Sequence, residues 1–310
     1  MWVEFMAYTE ISFDDASEAT RIAGLAELLG IEKLAGGWAN SNYLLTLEDD
    51  TKLVLKIWNE QSVEEVEYLL SMTAYLSENG VPTPTPISFD HGKSMMVVDG
   101  LVWTLMPLIE GQWLGSNHSS LYSLGAIQAS LHLVTPPEEL KNDYSMGETL
   151  FETLYTAANG EHGWTDFLKM LKSEISTING TVGGELPKGI IHGDLFPDNV
   201  IGTKGKVKSL LDFEEICHDV LAFDLVMTFV GFGWEDGHPV PERWQSLLEG
   251  YQSIRRLSDA EKKALPDLHR LATLSIAAWR YWQFVIKLPN SEHDERYLEM
   301  TDRLNKDLPF

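Results

Sequence analysis

The stretch GIIHGDLFPDNVIGTKGKVKSLLDFEE, residues 189 to 215, sets an acid, an amide and a second acid along one short path: Asp194, then Asn199, then Asp212 at the end of the next β-type run. Ile190 and Ile191 lead into His192 and Gly193, and Gly202 to Gly205 reads as a tight turn between two short strands. If that turn centres near Thr203 and Lys204, antiparallel pairing sets Asp212 roughly opposite Leu195, beside the loop that carries Asp194. The spacing therefore predicts that three oxygen-bearing side chains meet. Phosphoryl transfer from ATP asks for such a set: a carboxylate to orient and deprotonate an attacking hydroxyl, and hard oxygen ligands to hold Mg2+ against the phosphates. On that reading Asp194 is the base, and Asn199 and Asp212 hold the metal. Taken singly, each is also an ordinary turn former or strand-end cap. A metal hydrolase built on His192 and Asp194 would need a second His or acid pair at ligand spacing, which the sequence lacks.

Outward from this segment the chain changes character. Before it, NYLLTL (42 to 47) and KLVLKIW (52 to 58) read as strands around a turn at Glu48 to Asp50, and MMVVDGLVWTLM (95 to 106) as a hairpin turning at Asp99-Gly100. A leading helix is expected over residues 13 to 30, opened by Asp14, Asp15 and Ser17 and carrying Ile22, Leu25, Leu28 and Leu29 at helical spacing. A second, over 62 to 78, presents Val66, Leu69, Leu70, Thr73 and Leu76 on one face and stops at Asn79-Gly80. After MPLIEGQ (106 to 112) nearly everything except one hairpin reads as helix: 119 to 133, 148 to 177, 242 to 255, and 259 to 305 apart from a break at Pro289-Asn290. The expectation is an α+β chain of two lobes. Residues 1–106 form a small antiparallel-sheet lobe with one inserted helix; residues 107–310 form a larger, mostly helical lobe. A cleft between two such lobes is where small-molecule sites are commonly found.

Composition narrows the partners. With 310 residues and ordinary apolar content the chain buries a real core. A formal charge of -24 argues against nucleic acid and anionic membrane as partners, and is compatible with a small cationic or zwitterionic substrate. Cys217 is the only cysteine, so the chain forms no internal disulfide and no thiolate metal cluster. The first residues lack the basic and apolar regions of a signal peptide, and no apolar run approaches the roughly 18 residues of a membrane span. A cytoplasmic protein is expected, and a homodimer is compatible with the sequence.

HGDLFPDN followed by LLDFEE resembles the catalytic and metal-binding loops of the aminoglycoside phosphotransferase and choline kinase superfamily, whose fold is protein-kinase-like. The resemblance runs from GGWANSNYLL (36 to 45) to the helix at 271 to 282. It implies ATP and Mg2+ as cofactors, Asp194 as catalytic base, Asn199 and Asp212 as metal ligands, and His192 as support for the loop. It places Lys56, in LVLKIW, on the α- and β-phosphates; an unpaired ammonium inside an apolar run would be costly, so a phosphate and an acidic helix partner account for it. Glu64, Glu65 and Glu67 compete for that partnership, with Glu67 preferred. The loop Gly36, Gly37 to Ser41 is expected to cover the phosphates with backbone amides, and Met106 to Ile109, Leu108 included, to meet adenine as the connector. Asp219 and Asp224, in CHDVLAFDLV, resemble the family's loop-stabilising aspartates, and His132 falls on a helix packed beneath the site.

For the acceptor, GGWANSNYLL, LIEGQWL, HGDLFPDNV and EGYQSIRRLSDAEKKALPDL resemble bacterial homoserine kinases of the phosphotransferase type. Homoserine is therefore expected first, with choline or another amino alcohol, a sugar or an aminoglycoside behind it. A catalytically silent nucleotide-binding module is the reading from another class, and the presence of Lys56, Asp194, Asn199 and Asp212 together speaks against it. DFEEICHD departs from the aromatic-rich segment of those enzymes. An amine-bearing acceptor wants a carboxylate or an aromatic face, and Glu214, Glu215 and Trp234 follow the metal loop, while Arg280, beside Trp279, Tyr281 and Trp282, could meet a carboxylate.

Overall fold

The computed structural model describes residues 8–34, 40–181 and 186–310, and the chain separates into two compact units, Met1–Glu110 and Gly111–Phe310. The first opens with α1 (Phe13–Ile22), started by a capping box in which Ser12 and Asp15 satisfy each other's backbone amides. The helix stops well short of residue 30, because Gly24 turns the chain with a φ of +67°. Leu28 then starts β1 (Leu28–Lys33) instead of extending a helical stripe. β2 (Ser41–Leu47) and β3 (Lys52–Trp58) pair antiparallel with Asn42 opposite Lys56.

α2 (Val63–Glu78) is capped by Ser62 and Glu65 and buries Val66, Leu69, Leu70, Met72 and Leu76. β4 (Met96–Val98) and β5 (Leu101–Pro107) are joined by Asp99 and Gly100, both at positive φ, as the favoured two-residue hairpin turn requires. The sheet order is β1-β2-β3-β5-β4, antiparallel throughout. Leu45, Leu47, Leu53, Leu55, Ile57 and Leu105 point to one face, where Ala16 and Ala19 of α1 cover them. The pleat sends Lys56 to the other face.

The second unit opens with β6 (Gln112–Trp113) and α3 (His118–His132). The helical stretch expected over 148 to 177 is two helices, α4 (Leu150–Asn159) and α5 (Asp166–Thr181), because Gly160 ends the first and Gly163, at a φ of +72°, redirects the chain. β7 (Lys188–Ile191), β8 (Val200–Thr203), β9 (Lys206–Leu210) and β10 (Cys217–Val220) frame the loop that carries Asp194. β7 pairs with β10, and β6, β8 and β9 form a second sheet. α6 (Leu221–Phe232) is apolar on nearly all sides and buried almost throughout. Then come the short strands β11 (Trp234–Glu235) and β12 (His238–Pro239), α7 (Pro241–Gln252), α8 (Asp259–Tyr281) and α9 (Arg296–Thr301). Among the described residues no helix is long and apolar enough to cross a membrane.

The β8–β9 register differs from the expected one. The turn lies on Lys204 and Gly205, both at positive φ, and an irregularity between Ile201 and Gly202 shifts the ladder by one more residue. Val200 thus faces Leu210, and the Leu211 amide donates to the Asn199 carbonyl at 2.8 Å. Asp212 leaves the ladder next to Asp198 and Asn199, not opposite Leu195.

Candidate active site

The loop after β7 is held from three sides. His192 is fully buried, and burial pushes its imidazole below the usual histidine range. Its Nε2 lies 2.9 Å from the Leu211 carbonyl, to which it donates, and Nδ1 is then the acceptor for the Asp194 amide at 3.3 Å. Gly193 follows at a φ of +79°, where a Cβ would lie 2.9 Å from the Glu215 carbonyl and 2.9 Å from the Tyr144 ring. The Tyr144 hydroxyl donates to the Gly193 carbonyl at 2.8 Å.

Asp194 keeps part of its surface accessible. Asn199, buried on the turn that opens β8, donates from Nδ2 to the Asp194 carbonyl at 2.7 Å and to its carboxylate at 3.1 Å. Both amide hydrogens are thereby spent on Asp194, and Oδ1 is left as a hard oxygen donor. Asp212, exposed and at a φ of +61°, is a second such oxygen held in a backbone conformation that non-glycine residues seldom adopt.

Charge is concentrated here. The Asp194 carboxyl is pushed well above the usual carboxylate range, first by burial and then by Glu215, Asp212 and Asp198. Burial and Asp212 push Glu215 up to about 7, against the opposing pull of Lys141. The Ser145 hydroxyl donates to Glu215. Glu214 is half-buried next to it. A divalent cation on Asn199 Oδ1 and Asp212 fits this donor set, since hard oxygens suit Mg2+ and the added charge offsets the repulsion among the acids.

Asp224 lies beneath the loop, fully buried on α6. It accepts the Gly193 amide at 2.7 Å, Gln128 at 2.8 Å and the His132 ring at 2.9 Å. Burial alone would raise this carboxyl; the His132 hydrogen bond and the nearby His132 and His192 rings outweigh it and hold it below the usual range. Asp219 plays a different part from the one expected: it accepts from the Val220 amide at 2.8 Å and pairs with Lys188 at 3.4 Å, at the start of α6.

Two residues expected at the acceptor lie elsewhere. Trp234 is buried, its ring stacked on His269 at 5.8 Å and under the Arg303 guanidinium at 4.7 Å, so it belongs to the core. Arg280 pairs with Glu299 at 2.8 Å and donates to the Arg296 carbonyl at 2.9 Å, tying α9 to α8. Tyr281 is likewise a core residue, stacked on Phe167 at 4.7 Å.

In the first unit, Lys56 is half-buried on β3 with Nζ 3.9 Å from the Trp58 ring centre. Glu67 does not serve as its partner. It stands on the exposed side of α2, one position past the buried Val66, and pairs with Lys93 at 3.5 Å at the rim of a cavity of about 310 Å³. Ser41 is buried, its Oγ accepting from the Thr9 amide at 2.8 Å and from Asn59 at 3.1 Å. Gly36 and Gly37 lie outside the described residues. Met106 faces Val54 in the sheet, and the Leu108 amide donates to the Lys52 carbonyl at 3.1 Å, so that amide is already committed within the unit.

The sequence reading passed over Tyr144, Gln128 and Tyr251. Gln128 and His132 had a usable signal: a polar pair one helical turn apart inside the apolar stripe of Leu121, Leu124 and Leu131. Tyr144 had none.

Comparison with known proteins shows residues 30–257 matching the phosphotransferase enzyme family. The chain is 30% identical over 284 residues to a homoserine kinase of Rhizobium johnstonii, covering 90% of this chain and 88% of that one. Its fold is similar to that of a microcompartment-associated aminopropanol kinase, with a TM-score of 0.71, 18% identity and coverage of 94% and 95% of the two chains. It is similar also to amicoumacin kinase hAmiN, solved with AMP-PNP, Ca2+ and Ami, with a TM-score of 0.70, 17% identity and coverage of 94% and 93%.

Proposed function

The chain belongs to the phosphotransferase enzyme family, and from that premise we propose that it moves the γ-phosphoryl group of ATP to the side-chain hydroxyl of homoserine. The observation that carries the reading is the clasp between Asn199 and Asp194, which aims the carboxylate and frees one amide oxygen beside Asp212. Asp194 orients the acceptor hydroxyl and takes its proton as the new O–P bond forms and the bond to ADP breaks. Asn199 holds that carboxylate in place, and His192 and Asp224 hold the backbone that carries it. A Mg2+ ion bound by Asn199 and Asp212 would neutralise phosphate charge and align the nucleotide. Lys56 in residues 1–106 is assigned to the α- and β-phosphates, and residues 107–310 to catalysis and acceptor binding. The reaction is placed in the cytoplasm.

Homoserine is favoured over a plain amino alcohol for two reasons. Relatives matched over 90% of this chain and 86% to 88% of their own length are homoserine kinases. Charges of both signs, Glu215 and Lys141, also act on each other at the loop, and a zwitterion presents an ammonium to one and a carboxylate to the other. The test is a panel of homoserine, choline, ethanolamine, a hexose and an aminoglycoside, scored by ADP formed and by the mass of the phosphorylated product. Phosphohomoserine formed at the highest kcat/KM supports the assignment. A preference for an acceptor without a carboxylate overturns it, and tight nucleotide binding with no turnover of any acceptor would indicate a silent binding module.

A further inference from the structure

A run of buried polar groups leads from the start of α8 to the loop that carries Asp194. Glu261, fully buried, closes the capping box of α8 with Oε2 on the Ser258 amide at 2.8 Å, and its Oε1 accepts from Arg255 at 2.8 Å. Arg255 also donates from Nη1 to the Tyr251 hydroxyl oxygen at 3.0 Å. That hydroxyl lies 2.7 Å from His132 Nδ1, and His132 Nε2 lies 2.9 Å from Asp224 Oδ2. Asp224 Oδ1 receives the Gly193 amide. Tyr251 is wholly buried. It reaches His132 because α3 and α7 touch backbone to backbone: a Cβ on Gly125 would strike the Leu247 carbonyl, and one on Gly250 the Tyr122 carbonyl.

Donor accounting gives this run a single direction. A guanidinium only donates, so the Tyr251 oxygen accepts from Arg255 and its one hydrogen goes to His132 Nδ1. The His132 proton then sits on Nε2, the nitrogen that faces Asp224. In the opposite tautomer the Tyr251 oxygen would meet two donors, its own hydrogen would have no acceptor, and a nitrogen lone pair would face a carboxylate. A buried donor or acceptor left in that state has given up its hydrogen bond to water and gained none in return.

We infer that Tyr251 is a positioning residue: its hydroxyl fixes the ring tautomer of His132, and through His132 and Asp224 it fixes the peptide linking Gly193 to Asp194. The inference rests on the kinase reading of Asp194, because the effect of Tyr251 on rate passes through that residue. A phenylalanine at this position keeps the packing and loses the tautomer control.

The test pairs kinetics with a spectrum that needs no turnover. Tyr251→Phe should lower kcat about tenfold and leave KM for ATP within about twofold, the pattern of a group that acts only in the transition state. In a His132→Gln background the side-chain amide can donate to Asp224 with no tautomer to choose, so adding Tyr251→Phe there should lower kcat less than about twofold. An equal loss in both backgrounds overturns the proposal and makes Tyr251 a packing residue. In 15N-histidine-labelled protein, the His132 ring should be the Nε2–H tautomer in wild type and a mixture in Tyr251→Phe. A wild-type ring protonated on Nδ1, or a spectrum unchanged by the substitution, overturns it as well. If wild type phosphorylates no acceptor, the kinase reading fails while the spectrum still decides the tautomer.

Discussion

Glu215→Gln keeps an oxygen for the Ser145 hydroxyl and removes the charge that burial and Asp212 disfavour. In the folded chain this carboxyl is moved from 4.5 to about 7, so it stays protonated over a range in which the unfolded chain has already released the proton. Stability therefore falls as pH rises from about 4.5 to about 7, and the cost is complete above that. At about 1.4 kcal/mol per pH unit the shift corresponds to about 3 kcal/mol. Glu215 retains some solvent contact, and screening reduces this to roughly 1.5 to 3 kcal/mol. For a unit of about 200 residues, each kcal/mol moves Tm by roughly 2–4 °C, so the substitution should raise Tm by roughly 3–12 °C above neutrality and by almost nothing in acid. Thermal melts of both proteins across this range, with the metal chelated, give the difference directly. A difference that is flat with pH, or that vanishes above neutrality, refutes the argument that Glu215 is held charged at a cost.

Gly193→Ala places a Cβ 2.9 Å from the Glu215 carbonyl at a φ of +79°, and should cost roughly 2 to 4 kcal/mol in urea unfolding together with most of the turnover; a variant equal to wild type in both would show that the loop relaxes freely. Asn199→Ala removes both the clasp on Asp194 and one oxygen donor, so calorimetry should find that Mg2+ no longer strengthens ATP binding; an undiminished Mg2+ effect removes Asn199 from the metal site. Arg280→Ala leaves Glu299 and the Arg296 carbonyl without their donor, and should lower Tm by a few degrees, about 1 to 2 kcal/mol, with KM for the acceptor unchanged. A KM raised more than about tenfold would return Arg280 to the acceptor site.

The readable parts of the sequence are those where local chemistry decides structure. Asp99-Gly100 has one good backbone solution, and the two hairpins of the first unit follow from alternation and turn residues. Over residues 189 to 215, turn and strand signals are dense enough to bring Asp194, Asn199 and Asp212 to one loop system, yet the register differs from the expected one by three residues: two because the turn sits on Lys204 and Gly205, and one because a bulge has no sequence mark. Leu28 and Leu29 fit a helical stripe equally well; the left-handed Gly24 and pairing with Leu47 make Leu28 a strand residue. Glu67, Trp234 and Arg280 were misplaced for a common reason. Each was set near the chemistry by its order along the chain, but which way a side chain points depends on what the element packs against. Glu67 found Lys93, Arg280 found Glu299, and Trp234 was drawn into the core. The Tyr251 to His132 contact depends on a helix crossing set by Gly125 and Gly250, two residues far apart in sequence that carry no chemistry of their own.

The central claim is that Asp194 drives transfer to homoserine, and incubation of the purified chain with γ-labelled ATP, Mg2+ and homoserine tests it directly. Wild type should form labelled phosphohomoserine in step with ADP, while Asp194→Asn, still binding Mg2+-ATP, should form it on the order of 100-fold more slowly or worse. ADP without labelled homoserine, or equal rates from the two proteins, would contradict the account.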